Sequence, residues 1–175
     1  MKGAANPYPR IPMDRREAEP GERIFIFKVI QSNRAGKVHG YPYRILSILE
    51  SITLFEFAGE ICHSFRFGFD HMFGFYDNLK KFYKSTVGFE LFADEPETAY
   101  GKIRPEFEGV VRTPVNRAFQ EAGKKMLFLF DYGDEWYFRV ELKEIADAEP
   151  GLRYPRLLKS EVKALPQYGS PDDES

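Results

Sequence analysis

The sequence predicts an α+β fold, in which an antiparallel sheet of about four to six strands is packed by two main helices. Three observations lead to this prediction: a hairpin pattern in residues 124–145, two earlier stretches rich in β-branched and aromatic residues, and two separate helix-start signals. At 175 residues the chain has the length of one domain. We therefore expect a single domain over residues 22–168.

The hairpin is the clearest of these signals. Residues 126–130 form an apolar run, residues 136–142 alternate bulky and charged side chains, and the glycine-containing segment 131–134 separates them. Gly133 is the residue expected to have a positive φ. Because side chains alternate across a strand, one face should be buried and the other solvated. The predicted solvated face consists of Tyr137, Arg139, Glu141 and Lys143.

The first half of the chain contains a helix between candidate strands. Residues 23–30 and 43–49 have strand composition and are most simply an antiparallel pair. Thr53 and Glu56 form a capping box, and apolar residues at helical spacing predict a helix over 53–65. The phenylalanines that follow occupy alternate positions, which indicates a strand from about His71.

The second half has weaker signals outside the hairpin. A short strand is expected within 86–94, and one or two helical turns within 97–103. Thr113 as the N-cap before Pro114 predicts a second helix over 114–122, ended by Gly123. We interpret residues 1–21 as a disordered, proline-rich leader, 146–168 as an extended segment on the domain, and 169–175 as a disordered acidic tail.

Composition limits the function and the compartment. Lys plus Arg number 25 against 27 Asp plus Glu, a balance that argues against a general nucleic-acid binder. The single cysteine, Cys62, cannot form an intramolecular disulfide. The sequence has neither a signal-peptide pattern nor a long apolar span, so we expect a cytoplasmic protein without a membrane partner.

Asp131, Asp134 and His71, with Asp70, form the candidate cluster for metal or acid–base chemistry. Two carboxylates around one tight turn could share a hard cation, and His71 could transfer a proton. No cofactor is expected. If there is one, these carboxylates would suit a divalent metal ion. The alternative interpretation, favoured by the needs of a hairpin turn, is that both aspartates cap the turn through backbone N–H groups.

A basic and aromatic run is the second candidate site. Lys80, Lys81 and Lys84 could bind phosphates of a single-stranded nucleic acid, with rings available for its bases. Tyr137 and Arg139 would extend this surface. The alternative, which we favour, is a solvated loop around a buried Phe82.

The order of motifs resembles the plasmid pRiA4b ORF-3-like family from about residue 24 to residue 169. The segment 130–136, with its DYGDEW sequence, is the most specific part. The other matching positions are Thr53, Leu54, Phe57, Ile61 and Phe65; His71, Met72 and Phe75; and Tyr154, Pro155 and Arg156. The resemblance implies an MM3350-like α+β fold. It also implies an uncharacterised protein associated with plasmids or other mobile elements.

The chain departs from the family pattern at three places. Ala58 stands where the family usually has histidine, Arg66 and Phe67 replace a Gly-Trp pair, and the acidic, glycine-rich ending is reduced to residues 165–169, which include Gln167. If these positions build a site in relatives, the site is lost or degenerate in this chain.

We therefore predict a non-catalytic binding or adaptor domain with ligand contacts at Asp131, Asp134, Trp136 and the His71 region. The partner would be a protein or a nucleic acid. A metal-assisted hydrolase or nuclease, a single-stranded nucleic-acid binder, and a degenerate relative kept for protein contacts are the alternatives.

Overall fold

A long helix lies on one face of a seven-stranded sheet. The computed structural model describes residues 6, 8–95 and 107–162. In chain order the strands and helices are β1 (Arg23–Ser32), β2 (Tyr43–Leu49), α1 (Leu54–Ser64), β3 (Phe73–Tyr76), β4 (Gly88–Glu90), α2 (Val115–Ala118), β5 (Lys125–Phe130), β6 (Trp136–Asp147) and β7 (Arg156–Glu161). Among these residues, no helix is long and apolar enough to span a membrane.

The sheet has the strand order β4-β3-β5-β6-β1-β2-β7, and all neighbouring strands are antiparallel. The predicted number of four to six strands is too low, because the segment predicted to be extended contains β7. Its sequence, RLLKSE, lacks the alternation of a half-buried strand and is largely exposed. It is a strand because its backbone pairs with β2 at the edge of the sheet.

The first predicted helix is confirmed, and local sequence explains it. The N–H of Glu56 donates to Oγ1 of Thr53 at 3.1 Å, and the N–H of Thr53 donates to Oε1 of Glu56 at 3.2 Å. This is the expected capping box. Leu54, Phe57 and Ile61 are fully buried against the sheet.

The second predicted helix is wrong in length, since α2 is a single turn. Thr113 does not cap it: Oγ1 of Thr113 donates to the carbonyl of Gly109 at 2.7 Å, and Pro114 occupies the N-cap position. The chain then becomes extended at Phe119, whose buried ring lies 4.9 Å from that of Phe27. Burying this ring competes with continuing the helix.

Both faces of the central sheet are covered near β3, β5 and β6. The main cluster lies under α1, and a second cluster on the opposite face contains Tyr76, Phe107, Leu127, Leu129 and Tyr137. Tyr137 is only 6% exposed, so the prediction that it lies on a solvated face was wrong. Distant segments cover this face, which the alternation within β6 does not reveal.

The segment 8–21 packs on the domain, in contrast to the predicted disordered leader. The Tyr8 ring stacks on Phe55 with centroids 5.2 Å apart, and the N–H of Met13 donates to Oε1 of Glu60 at 2.9 Å. Arg16 forms an isolated antiparallel bridge with Tyr154. The predicted helical turns within 97–103 and the acidic tail at 169–175 lie outside the described residues.

Candidate functional site

The turn between β5 and β6 is organised by Asp131. It spans five residues, 131–135, and its positive φ angles fall on Asp131 (64°) and Glu135 (54°), not on Gly133 as expected. Oδ1 of Asp131 accepts hydrogen bonds from the N–H groups of Gly133 (3.0 Å) and Asp134 (3.3 Å). Aspartate tolerates this left-handed conformation because its side chain bonds locally.

The structure brings His71 to this turn, as predicted. Nε2 of His71 lies 3.5 Å from Oδ2 of Asp131 and 3.5 Å from Oδ1 of Asp70. The backbone reinforces the contact, since the N–H of Asp131 donates to the carbonyl of Met72 at 2.9 Å. The imidazole also meets the ring of Phe130 edge-on, with centroids 5.8 Å apart.

Asp134 does not join this cluster as a second metal ligand. One Asp131 oxygen is engaged by two backbone amides, and Asp134 is exposed, with its carbonyl accepting from Arg34. In residues 8–95 and 107–162 no three His, Cys, Asp or Glu side chains are grouped as a metal ion would require. The contacts of Asp131 are those of the turn-capping interpretation.

Tyr132 points to a different set of partners. Its hydroxyl lies 2.5 Å from that of Tyr76, which donates to Oε1 of Glu90 at 2.7 Å. Burial raises the pKa of both tyrosines above its ordinary value. Sequence reasoning missed Tyr76 and Glu90, because their relation to Tyr132 depends on strand pairing between distant segments.

A cavity of about 460 Å³ opens beside His71. Its aromatic wall consists of Tyr8, Phe55 and Phe69, whose neighbouring ring centroids are 5.2 and 5.1 Å apart. The remaining described lining residues are Asp70, His71, Met72, Phe73, Leu91 and Glu95. Sequence reasoning missed the aromatic wall, because it joins the leader, α1 and the segment before β3.

A second cavity, of about 600 Å³, adjoins the first. The Tyr8, Phe55 and Phe69 side chains line both cavities. The second cavity is otherwise lined by Asn6, Pro9, Arg10 and Ile11. All of these residues belong to the segment that was predicted to be disordered.

The other predicted site residues lie in separate environments. The indole of Trp136 meets the ring of Phe67 edge-on at 5.1 Å, and its buried Nε1 has no hydrogen-bond acceptor within the described part of the chain. Lys80, Lys81 and Lys84 are exposed around a short helical turn at Phe82–Lys84. Tyr137 is buried, so it does not extend that basic surface. Arg139 donates to the carbonyl of Gly36 and lies close to Lys80, since a Cβ at Gly36 would be 3.5 Å from Nη2 of Arg139 and 3.3 Å from Cγ of Lys80.

Cys62 is fully buried on α1. Burial raises the pKa of its thiol well above the ordinary range, which keeps it protonated. A buried, protonated thiol is a poor nucleophile, so this cysteine is part of the core packing.

Fold and site together define an α+β domain with an aromatic cavity beside a hairpin turn. The chain belongs to the family described as plasmid pRiA4b ORF-3-like protein, whose model matches residues 39–168. This match includes His71, the 131–135 turn and most of the sheet. The family assignment confirms the resemblance found in the sequence.

A solved structure has the same fold. The chain is similar to the protein of unknown function MM3350 from Methanosarcina mazei Go1, with a TM-score of 0.65 and 16% sequence identity. The similarity covers 83% of this chain and 74% of that one. The search of curated proteins found no match. Neither the family description nor the description of MM3350 names an activity.

Proposed function

We propose that this protein is a non-catalytic binding domain whose ligand occupies the cavity beside His71. The observation that carries the proposal is the shared aromatic wall of Tyr8, Phe55 and Phe69 between two adjoining cavities. Pockets that combine apolar walls with a few polar groups are the usual small-ligand sites of proteins. Asp70, His71 and Glu95 supply the polar groups here.

The surroundings of the cavity support binding rather than catalysis. Oδ1 of Asp131 accepts hydrogen bonds from two N–H groups of the turn. Its other oxygen, Oδ2, contacts His71 and helps to position the imidazole. Cys62, the one cysteine, is buried and protonated. His71 is therefore a lining residue of the cavity, with Asp131 beside it as a positioning residue.

The test uses the methionines as reporters. The chain has four methionines, of which Met72 lines the cavity, Met126 is fully buried in the core and Met13 borders a different cavity. A fragment library is screened by NMR of methyl-labelled methionine, with the Met72 signal assigned from Met72→Leu. We expect some fragments to shift the Met72 methyl signal in a saturable way while the Met126 signal stays unchanged.

A matched pair of variants shows whether the shift comes from this cavity. Phe69→Ala removes one ring of the wall and should weaken binding of the fragments that were found. Phe82→Ala removes a half-buried ring outside the cavity and should leave binding unchanged. If no fragment moves the Met72 signal, or if Phe69→Ala binds as tightly as the wild type, this site is not the binding site.

Single-stranded nucleic-acid binding is a second candidate, favoured by one observation. Tyr83 is 54% exposed and lies among the exposed side chains of Lys80, Lys81 and Lys84. Three phosphate contacts would make binding weaken steeply with salt. A titration with a single-stranded DNA of about 16 nucleotides, comparing wild type with Lys81→Ala and Lys125→Ala, tests this proposal. No binding at low salt contradicts it.

The family description refers to a plasmid, which supports placing either binding role in the biology of mobile DNA. We propose the cytoplasm as the compartment, on the basis of the single, unpaired cysteine.

A further inference from the structure

We infer that the ligand of the cavity beside His71 carries an alkylated ammonium head group. This inference rests on the proposed function, because it names the chemical class that the same cavity would bind. It is carried by the combination of ring faces and carboxylates around one recess. The second cavity, which shares these rings, adds the orientation of the ligand.

The aromatic wall presents rings at different orientations. Tyr8 and Phe55 are stacked with an interplanar angle of 11°, whereas Phe55 and Phe69 are edge-on with an angle of 71°. A cation near this wall could therefore contact rings that lie in two different planes. Ammonium groups are attracted to ring faces within about 6 Å of the centroid, and alkylation lowers the cost of removing them from water.

The charged groups of the cavity favour a cation over an anion. Asp70 and Glu95 line it, and Oδ2 of Asp131 lies 3.5 Å from Nε2 of His71. No lysine or arginine is among the described residues that line it. Two carboxylates at one recess attract a cation and repel an anion.

An organic cation fits these residues better than a metal ion does. Hard metal ions require several oxygen ligands around one point. The described part of the chain has no such grouping. Four of the described lining residues, Tyr8, Phe55, Phe69 and Phe73, carry aromatic rings, and rings suit the methyl groups of an alkylated ammonium.

The second cavity gives the ligand a direction. Beyond the shared rings it is lined by Arg10 and by no carboxylate among its described residues. A cationic head would therefore bind beside His71 and Asp70, and the remainder of the ligand would extend past Tyr8. The leader segment thus contributes directly to the site.

Choline and its neutral carbon isostere dimethylbutanol are the test probes, since they differ only in charge at the same shape. Both are titrated into the full-length protein while the Met72 methyl signal is followed. We expect choline to bind about tenfold more tightly than the alcohol. Asp70→Asn and Glu95→Gln should each weaken choline severalfold and leave the alcohol unchanged, whereas Glu121→Gln, an exposed carboxylate elsewhere, should change neither.

A further titration shows whether the natural ligand is a small ammonium compound or a methylated lysine side chain of a protein. Acetyl-trimethyllysine amide is titrated in the same way, and tighter binding than choline assigns the site to a modified peptide. Equal binding of choline and dimethylbutanol, or a Met72 signal that no ammonium probe moves, overturns the cation inference. If neutral fragments still move Met72, the binding function stands, and if none does, the binding function fails as well.

Discussion

Nε2 of His71 lies 3.5 Å from Oδ2 of Asp131, which joins the segment before β3 to the turn between β5 and β6. The same aspartate uses its other oxygen to accept from two N–H groups of its own turn. One side chain therefore sets both the shape of the turn and one wall of the candidate site. Changes at Asp131 should affect both together.

Asp131→Ala should destabilise the protein by about 2 to 3 kcal/mol. It removes an acceptor of two hydrogen bonds, each worth about 1 kcal/mol, and places alanine in a left-handed conformation that costs about 1 kcal/mol more. Asp131→Asn should cost less than about 1 kcal/mol, because asparagine retains the acceptor and tolerates this conformation. Urea unfolding of the three proteins measures the difference.

Asp131→Asn and Asp134→Asn together separate turn capping from metal binding. Thermal unfolding is repeated with Mg²⁺, Mn²⁺, Ca²⁺ and Zn²⁺, since a ligand that binds only the folded state raises its stability. We expect none of these ions to stabilise the wild type. A stabilisation that is lost in both Asp131→Asn and Asp134→Asn would instead support the metal-assisted hydrolase.

Gly59→Ala should loosen the leader segment from α1. A Cβ at this position would lie 2.5 Å from Cδ1 of Ile11, so the Ile11 side chain must move. Trypsin should then cleave after the exposed Arg10 faster than in the wild type. The double variant Gly59→Ala with Ile11→Ala removes the clash, and we expect its rate of cleavage after Arg10 to be lower than that of Gly59→Ala alone.

Gly59→Ala also changes the stability of α1 itself, and this effect must be distinguished from loosening of the leader segment. Alanine favours a helix over glycine by about 1 kcal/mol, so global stability should not fall in parallel with the faster cleavage. Faster cleavage together with general unfolding would mean that the change disrupted α1 itself.

The Glu22–Arg16 pair should make stability depend on acidic pH. The hydrogen bond from Arg16 lowers the pKa of Glu22 from 4.5 to about 2, and Ser51 also donates to this carboxylate. Because the folded-state pKa is depressed, the stabilisation is full above about pH 4.5 and is lost as the pH falls toward 2. Glu22→Gln should be less stable than the wild type at pH 7, with the difference disappearing near pH 2.

Urea unfolding across this pH range measures the effect, with Glu17→Gln as the control. Glu17 is an exposed carboxylate of the same segment, and its side chain accepts none of the hydrogen bonds described above. A difference between wild type and Glu22→Gln that stays constant from pH 7 to pH 2 would contradict the linkage.

Tyr132→Phe should cost about 1 kcal/mol of stability. It removes one hydroxyl from the Tyr132–Tyr76–Glu90 series, while Tyr76 still donates to Glu90. Tyr76→Phe should cost more, because it leaves the buried carboxylate of Glu90 without that donor. Equal losses for the two variants, measured by urea unfolding, would show that Tyr76 is not the central member.

Local patterns in the sequence determined several elements on their own. The capping box of Thr53 and Glu56 predicted α1, because both hydrogen bonds join residues three apart. Strand β2 and the β5–β6 hairpin followed from composition and alternation, since neighbouring residues decide these properties. The proximity of His71 to the hairpin turn was expected from the family resemblance and not from a local pattern, and the structure has it.

Tertiary contacts decided the rest. The single turn of α2 depends on burying Phe119 against Phe27, β7 depends on the free edge of β2, and the burial of Tyr137 depends on a covering segment. The aromatic wall joins Tyr8 to Phe55 and Phe69, which lie far apart in the chain. Alternation and helical spacing describe only the residues within one element, whereas these features arise from contacts between elements.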